Sequence, residues 1–108
     1  MLNNVVLVGR ITNDIEKIEN EEKTSYRLML KISRSFKNEN GEYETDIVPI
    51  ELMSYIGSNV LQYCEKGDII GAKGRIQSNE NGISVIAERI TFLSNNKKIF
   101  LLLVLQYK

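Results

Sequence analysis

Hydrophobic and polar residues alternate along two long stretches near the middle of the chain. In residues 25–33, Tyr26, Leu28, Leu30 and Ile32 fall on one side, and Arg27, Met29, Lys31 and Ser33 on the other. In residues 43–53, Val48, Ile50 and Leu52 fall on one side, and Tyr43, Thr45, Ile47, Pro49, Glu51 and Met53 on the other. A period of two predicts half-buried strands. The charged segment between them, residues 34–42, contains Gly41, whose access to positive φ suits the tip of a long hairpin. One face of this hairpin can enter a core. The other is cationic on its first strand and apolar or aromatic on its second.

The remaining pattern completes a small β-rich domain. Residues 5–11 form a β-branched run interrupted by Gly9, which predicts a buried strand with a bend or bulge. Thr12, Asn13 and Asp14 supply turn chemistry, and residues 15–19 alternate weakly, as a continuation of the first strand beyond its bend. Residues 54–66 form the one credible helix, with Ile56, Val60, Leu61 and Cys64 on one stripe, Ser54 as N-cap and Gly67 as C-terminal stop. Gly57 inside that helix costs about 1 kcal/mol of propensity. Residues 68–76 predict a strand with Ile70, Ala72, Gly74 and Ile76 on one side and Ile69, Gly71, Lys73 and Arg75 on the other, its glycines permitting tight curvature. Residues 77–82 read as a polar loop with an Asn-Gly turn, residues 83–93 as the last strand, and residues 94–98 as the domain edge. There is no internal repeat. Three strands, a helix and two strands is the order of the OB-fold, so the expected class is all-β: a five-stranded OB-fold barrel with one short helix between strands 3 and 4. The expected domain is residues 1–98, followed by an apolar C-terminal extension at 99–108.

Composition narrows the chemistry. A chain of 108 residues is one domain with an adequate core. Its single cysteine, Cys64, forms no internal disulfide, fits a reducing compartment and reads as a small buried hydrophobe. With no histidine and one cysteine, no thiolate or imidazole metal cage can form, and the commonest general base is missing. No Walker-type loop is present, so nuclease or NTPase chemistry has no support and no cofactor is expected. The 14 basic and 14 acidic residues cancel in number but not in place. Acids crowd at Asp14, Glu16, Glu19, Glu21 and Glu22, whereas Arg27, Lys31, Arg34 and Lys37 have no acid among them. Cations that meet phosphate beside flat groups that meet bases suit unpaired nucleic acid. The N-terminus has no basic leader, and the apolar run at 99–105 is too short to cross a bilayer, so a cytoplasmic, membrane-free setting is expected.

Four segments carry a resemblance. Residues 4–14, Asn-Val-Val-Leu-Val-Gly-Arg-Ile-Thr-Asn-Asp, resemble the opening of the bacterial and phage single-stranded DNA-binding proteins. Residues 41–47, Gly-Glu-Tyr-Glu-Thr-Asp-Ile, resemble their central G-E-x-x-T-D/E-F/W segment. Residues 66–70 and 73–77 resemble their K-G-[DS]-x-[IV] and [KE]-G-R-L-[QR] segments. The resemblance implies an OB-fold, sequence-tolerant binding of single-stranded DNA in replication, recombination and repair, and a homotetramer. It places family stacking positions at Phe36, Ile47 and Met53, of which Phe36 alone is aromatic here, and there is no tryptophan. A weaker binder is therefore expected, or one leaning harder on Tyr26, Tyr43, Tyr55 and the cations. The family commonly ends in a glycine-rich linker and an acidic tip that docks replication and repair proteins. Residues 99–108 are instead apolar, which counts against such recruitment.

The expected phosphate contacts are Arg10, Arg27, Lys31, Arg34, Lys37, Lys73 and Arg75, and the expected base contacts are Phe36, Tyr43, Ile47, Met53 and Tyr55. Against these stand plainer readings: Arg10 in a structural ion pair, Tyr26 in the core, Phe36 tucked onto the barrel, and Lys73 and Arg75 merely solvated. A second functional class, an OB-fold adaptor of replication restart whose hairpin face binds protein, stays open and is favoured slightly by the apolar Ile47 and Met53. Residues 99–108 can be an extra strand, a subunit-interface strand or an aberrant end.

Overall fold

A computed structural model describes residues 1–80 and 82–93. Its elements are β1 (Val5–Ile11), β2 (Glu16–Glu19), β3 (Thr24–Lys37), β4 (Tyr43–Met53), α1 (Ser54–Tyr63), β5 (Ile69–Asn79) and β6 (Gly82–Phe92). The strands lie in the order β1-β5-β6-β4-β3-β2, and β1 also pairs with β3 through Arg10 opposite Lys31 and Ile11 opposite Leu30. That last pairing closes β1, β5, β6, β4 and β3 into a five-stranded barrel with α1 between its third and fourth strands in chain order, as the element order predicts. The β4–β6 seam is parallel and the other seams are antiparallel.

The period-two faces of β3 and β4 fall as expected. Leu28, Leu30, Ile50 and Leu52 are fully buried, joined by Ile11, Ile56, Val60, Cys64, Ile70 and Ala87. Tyr26 is 6% exposed, so it belongs to the core and not to a binding face.

Four local expectations need correction. Residues 16–19 do not continue β1; they fold back antiparallel on β3 as β2. The turn before them holds β3 in place of a ladder: Thr12 donates its N–H to the Met29 carbonyl at 2.9 Å, and the Asn13 Oδ1 accepts the Met29 N–H at 2.8 Å. Second, the helix ends at Tyr63, not Lys66, because Cys64 turns into the core with extended backbone (φ −124°, ψ 156°). Its N-cap position is Met53 without a side-chain cap, and Gly67 instead shapes the link to β5, where its N–H donates to the Ile11 carbonyl. Third, Leu61 is 49% exposed, and its expected place on the buried stripe is taken by Gly57. A Cβ at Gly57 meets the Tyr26 ring at 2.1 Å, so the missing side chain is what admits the ring beneath the helix.

The fourth correction concerns the hairpins. Residues 34–37 belong to β3 and residues 77–79 to β5, where loops were expected. Beyond the barrel these strands are solvated on both faces, so no hydrophobic period marks them. Two arms result, β3–β4 and β5–β6, each projecting past the core. Ile76 lies in the second arm and is exposed, despite its alternation with buried Ile70 and Ala72. The expected domain edge at 94–98 and the extension at 99–108 lie outside the described residues.

Candidate nucleic-acid interface

Strand register, not sequence proximity, assembles the site. Arg10 of β1 is opposite Lys31 of β3, and Lys31 is opposite Ile47 of β4. These three outward side chains form one row across the barrel's closing seam. Val8, Gly9, Arg10, Lys31, Ser33 and Ile69 line a shallow cleft of about 300 Å³ at that seam. Arg10 donates from Nη1 to the Gly67 carbonyl at 2.6 Å, a neutral acceptor that leaves its positive charge intact. Among the described residues, neither Arg10 nor Lys31 has a carboxylate in ion-pair contact.

The β3–β4 arm continues the row outward. Lys37 is opposite Tyr43, with its ammonium 5.7 Å from the ring centroid. A cation over an aromatic face is attracted by the ring quadrupole, which holds both groups toward solvent together. Phe36 is 65% exposed and lies where the β3–β4 register shifts between Ser33 and Lys37; such irregularities re-aim side chains out of the regular alternation. Its exposure sets aside the reading of an aromatic tucked onto the barrel. The tip is built by Asn38, whose side-chain oxygen accepts the N–H groups of Asn40 and Glu42 while its carbonyl accepts the Gly41 N–H. Gly41 takes φ 79°, as a hairpin tip requires. Asn38 was not singled out from the sequence, although an asparagine opening a polar, glycine-containing turn is the signal for this self-bonded turn.

Arg34 stands apart from the row. Its Nε and Nη2 donate to the two oxygens of Asp46 at 3.1 and 2.9 Å, and its Nη1 donates to Glu44 at 2.6 Å. Glu44 and Asp46 alternate with Tyr43, Thr45 and Ile47, so this clamp occupies the other face of the arm. The hydrogen bonds from Arg34 hold the Asp46 carboxyl below its ordinary range, and Asp46 in turn raises the guanidinium. The sign follows: the folded carboxyl is depressed, so the clamp is complete above the ordinary carboxylate range and is lost as pH falls through Asp46's own lower midpoint. In an NMR titration, the Asp46 midpoint is expected to return to the ordinary value in Arg34→Ala, with faster amide exchange at Lys37 and Tyr43. An unmoved midpoint contradicts the clamp.

The other expected residues are dispersed. Arg27 lies in register between Glu16 and Glu51. Arg75 is opposite Ile86, 3.4 Å from Glu88 and 3.0 Å from Gln77. Lys73 is flanked by Val6 and by Arg89, a cation not anticipated from sequence, on the β1–β5–β6 side of the barrel. Met53 and Tyr55 are exposed at the far end of β4 and the start of α1; six residues separate Met53 from Ile47, about 20 Å along a strand. The structure thus joins Arg10, Lys31, Ile47, Lys37 and Tyr43 with Phe36 beside them, and places Lys73, Met53 and Tyr55 elsewhere on the surface. Among the described residues no group of histidine, cysteine and acidic side chains is arranged to hold a metal ion, and no helix is long and apolar enough to cross a membrane.

The sequence profile described as the Single-strand binding protein family matches residues 2–93. Single-stranded DNA-binding protein B of Bacillus subtilis is 37% identical over 95 residues, covering 83% of this chain and 84% of that protein. Single-stranded DNA-binding protein 1 of Clostridium acetobutylicum is 30% identical over 108 residues, covering 90% of this chain and 98% of that protein. Among solved structures, the small single-stranded DNA-binding protein of Streptomyces coelicolor superposes with a TM-score of 0.69 at 13% identity, covering 86% of this chain and 95% of that one. The Plasmodium falciparum protein in complex with single-stranded DNA gives 0.69 at 19% identity, covering 87% and 96%. At those identities the superpositions speak for the barrel alone; the sequence matches carry the assignment. On a profile that spans both hairpin arms and the closing seam, and on these identities, the chain belongs to the single-strand binding protein family.

Proposed function

We propose that this chain is a non-enzymatic, sequence-tolerant coat for single-stranded DNA, holding it during replication, recombination and repair in the cytoplasm. The observation that carries this reading is the row of Arg10, Lys31 and Ile47 leading onto Lys37, Tyr43 and Phe36. Unpaired cations take phosphates, and the apolar and aromatic groups beside them take base faces. Duplex is disfavoured because paired bases do not offer those faces. Arg27, Lys73 and Arg75 extend the cationic track around the barrel, and Met53 and Tyr55 receive a strand that continues along β4. Arg34 serves the arm's shape ahead of phosphate contact. The adaptor reading, which the exposed apolar Ile47 and Met53 favoured slightly, loses ground, since the family and the relatives named above are single-stranded DNA binders.

Self-association fits the same picture. Val5 to Arg10 all pair with β5, whereas the ladder between β1 and β3 holds only Arg10 and Ile11. Val6 is 70% exposed beside this partly open strand edge. A second copy can add there, and a homotetramer lets one DNA strand visit several barrels at high effective concentration.

The test is a titration with oligodeoxythymidine at two salt concentrations, with a duplex control. Each engaged phosphate contributes a slope of about −0.7 in log K against log salt, so four contacts give about −3. Salt-insensitive binding, or equal affinity for duplex, contradicts the proposal.

A further inference from the structure

The strand-binding reading leaves one carboxylate on the gripping side unexplained. Arg27, Met29, Pro49, Glu51, Ile83 and Ser84 line a cleft of about 320 Å³ where the barrel part of β3–β4 meets the start of β6. Register builds it: Arg27 is opposite Glu51, Met29 is opposite Pro49, and the parallel pairing of Ile50 with Val85 brings Ser84 alongside Pro49. Met29, Pro49 and Ile83 are apolar walls that suit a ring. Glu51 is 23% exposed, and its polar contact among the described residues is a 3.5 Å approach of the Lys23 ammonium to Oε1. Lys23 is itself mostly exposed, so this contact is weak and easily released. The other carboxylate oxygen has no donor among the described residues.

A carboxylate repels phosphate, so the diester backbone keeps away from Glu51 and the base turns inward. An ionised carboxylate only accepts hydrogen bonds. It therefore favours a base edge that presents an amino group. Cytosine is the smallest such base; its N4 amino group is a known partner of Glu and Asp in base recognition. Thymine answers with two carbonyl oxygens flanking its single N–H, and both oxygens face the carboxylate's charge unfavourably. We infer that this cleft is a nucleobase subsite in which Glu51 favours amino-bearing bases, cytosine over thymine. The inference rests on the strand-binding reading and adds a base preference to it.

Oligodeoxycytidine and oligodeoxythymidine of equal length, titrated at one salt concentration against the full chain and its Glu51→Gln variant, test it. Glutamine keeps the shape and adds an N–H that donates to a thymine carbonyl. Thymidine affinity is expected to gain more than cytidine affinity, lowering the ratio Kd(thymidine)/Kd(cytidine) about five-fold, the lower end of what one base-edge contact discriminates. Both oligomers are measured on one preparation, so a partly unfolded variant leaves the ratio unaffected. An unchanged ratio overturns the subsite even if both affinities rise, because removing a negative charge helps every phosphate alike. Ile83→Ser, at an exposed wall that is blind to base identity, is expected to weaken both oligomers about three-fold with the ratio unmoved; no loss with either also overturns the subsite. If the unaltered chain holds neither oligomer, the strand-binding reading itself fails, a result distinct from a ratio that does not move.

Discussion

Gly74→Ala is expected to destabilise the barrel by about 3 kcal/mol, at the upper end of the usual cost of overpacking, and to lower the thermal midpoint by roughly 10–20 °C. A Cβ at this position lies 1.9 Å from the Ile86 carbonyl oxygen, 2.8 Å from its carbon and 3.0 Å from the Ala87 Cα. All three are backbone atoms, so no rotamer change relieves the contact. Relief requires the β5–β6 seam to part where Gly74 faces Ala87, at the register shift that follows Lys73. The same seam aims Arg75 and carries Ile83 and Ser84, so strand binding is expected to fall with stability. Gly71→Ala is the control, because its added Cβ meets nothing nearer than 3.8 Å. It is expected to change stability by no more than about 0.5 kcal/mol. Equal losses at the two positions, read by thermal or urea unfolding, contradict the contact argument and point instead to a general need for curvature.

The double substitution Arg10→Ala/Lys31→Ala is expected to weaken oligodeoxythymidine binding on the order of 100-fold at low salt, and to reduce the salt slope by about 1.4, two single-strand phosphate contacts' worth. The physical reason is adjacency without compensation. The two residues face each other across the seam that closes the barrel, and neither is in ion-pair contact with a carboxylate among the described residues. Two like charges held side by side repel in the free protein, and a phosphate between them relieves that repulsion. Arg34→Ala provides the contrast. Its guanidinium already spends its donors on Asp46 and Glu44, so the salt slope is expected to stay within error while the arm loosens. Arg10→Lys should restore most of the slope, because charge and not the bond to the Gly67 carbonyl is what counts. A double variant with an unaltered slope removes this row from the binding surface.

Much of the architecture is written in local pattern. The alternation of Tyr26, Leu28 and Leu30 and of Val48, Ile50 and Leu52 selected the buried faces, because a pleated strand has no other way to separate its sides. The order of strands and helix then left few topologies, and the outward Lys31, Ile47 and Tyr43 were legible as the uncovered side. Where both faces of a strand meet water, as at residues 34–37 and 77–79, the pattern carries no signal, and only the hairpin's own hydrogen bonds reveal that the strands continue. The helix boundary escaped for a different reason: Cys64 is drawn inward by the core, a force exerted by residues distant in sequence. The roles of charged side chains were the least legible of all. Arg34 meets Asp46 and Glu44 at separations of 12 and 10 residues, and Arg10 meets Lys31 across 21, so composition displays the charges but register decides which are spent on one another and which stay available. Sequence by itself determined which faces of β3 and β4 enter the core and which kind of barrel they build, since burial along a strand follows from local period. Tertiary structure alone decided which cations stand unpaired in one row and which carboxylate lines a cleft beside Met29, Pro49 and Ile83, since Coulomb energy depends on distance in space and not on position along the chain.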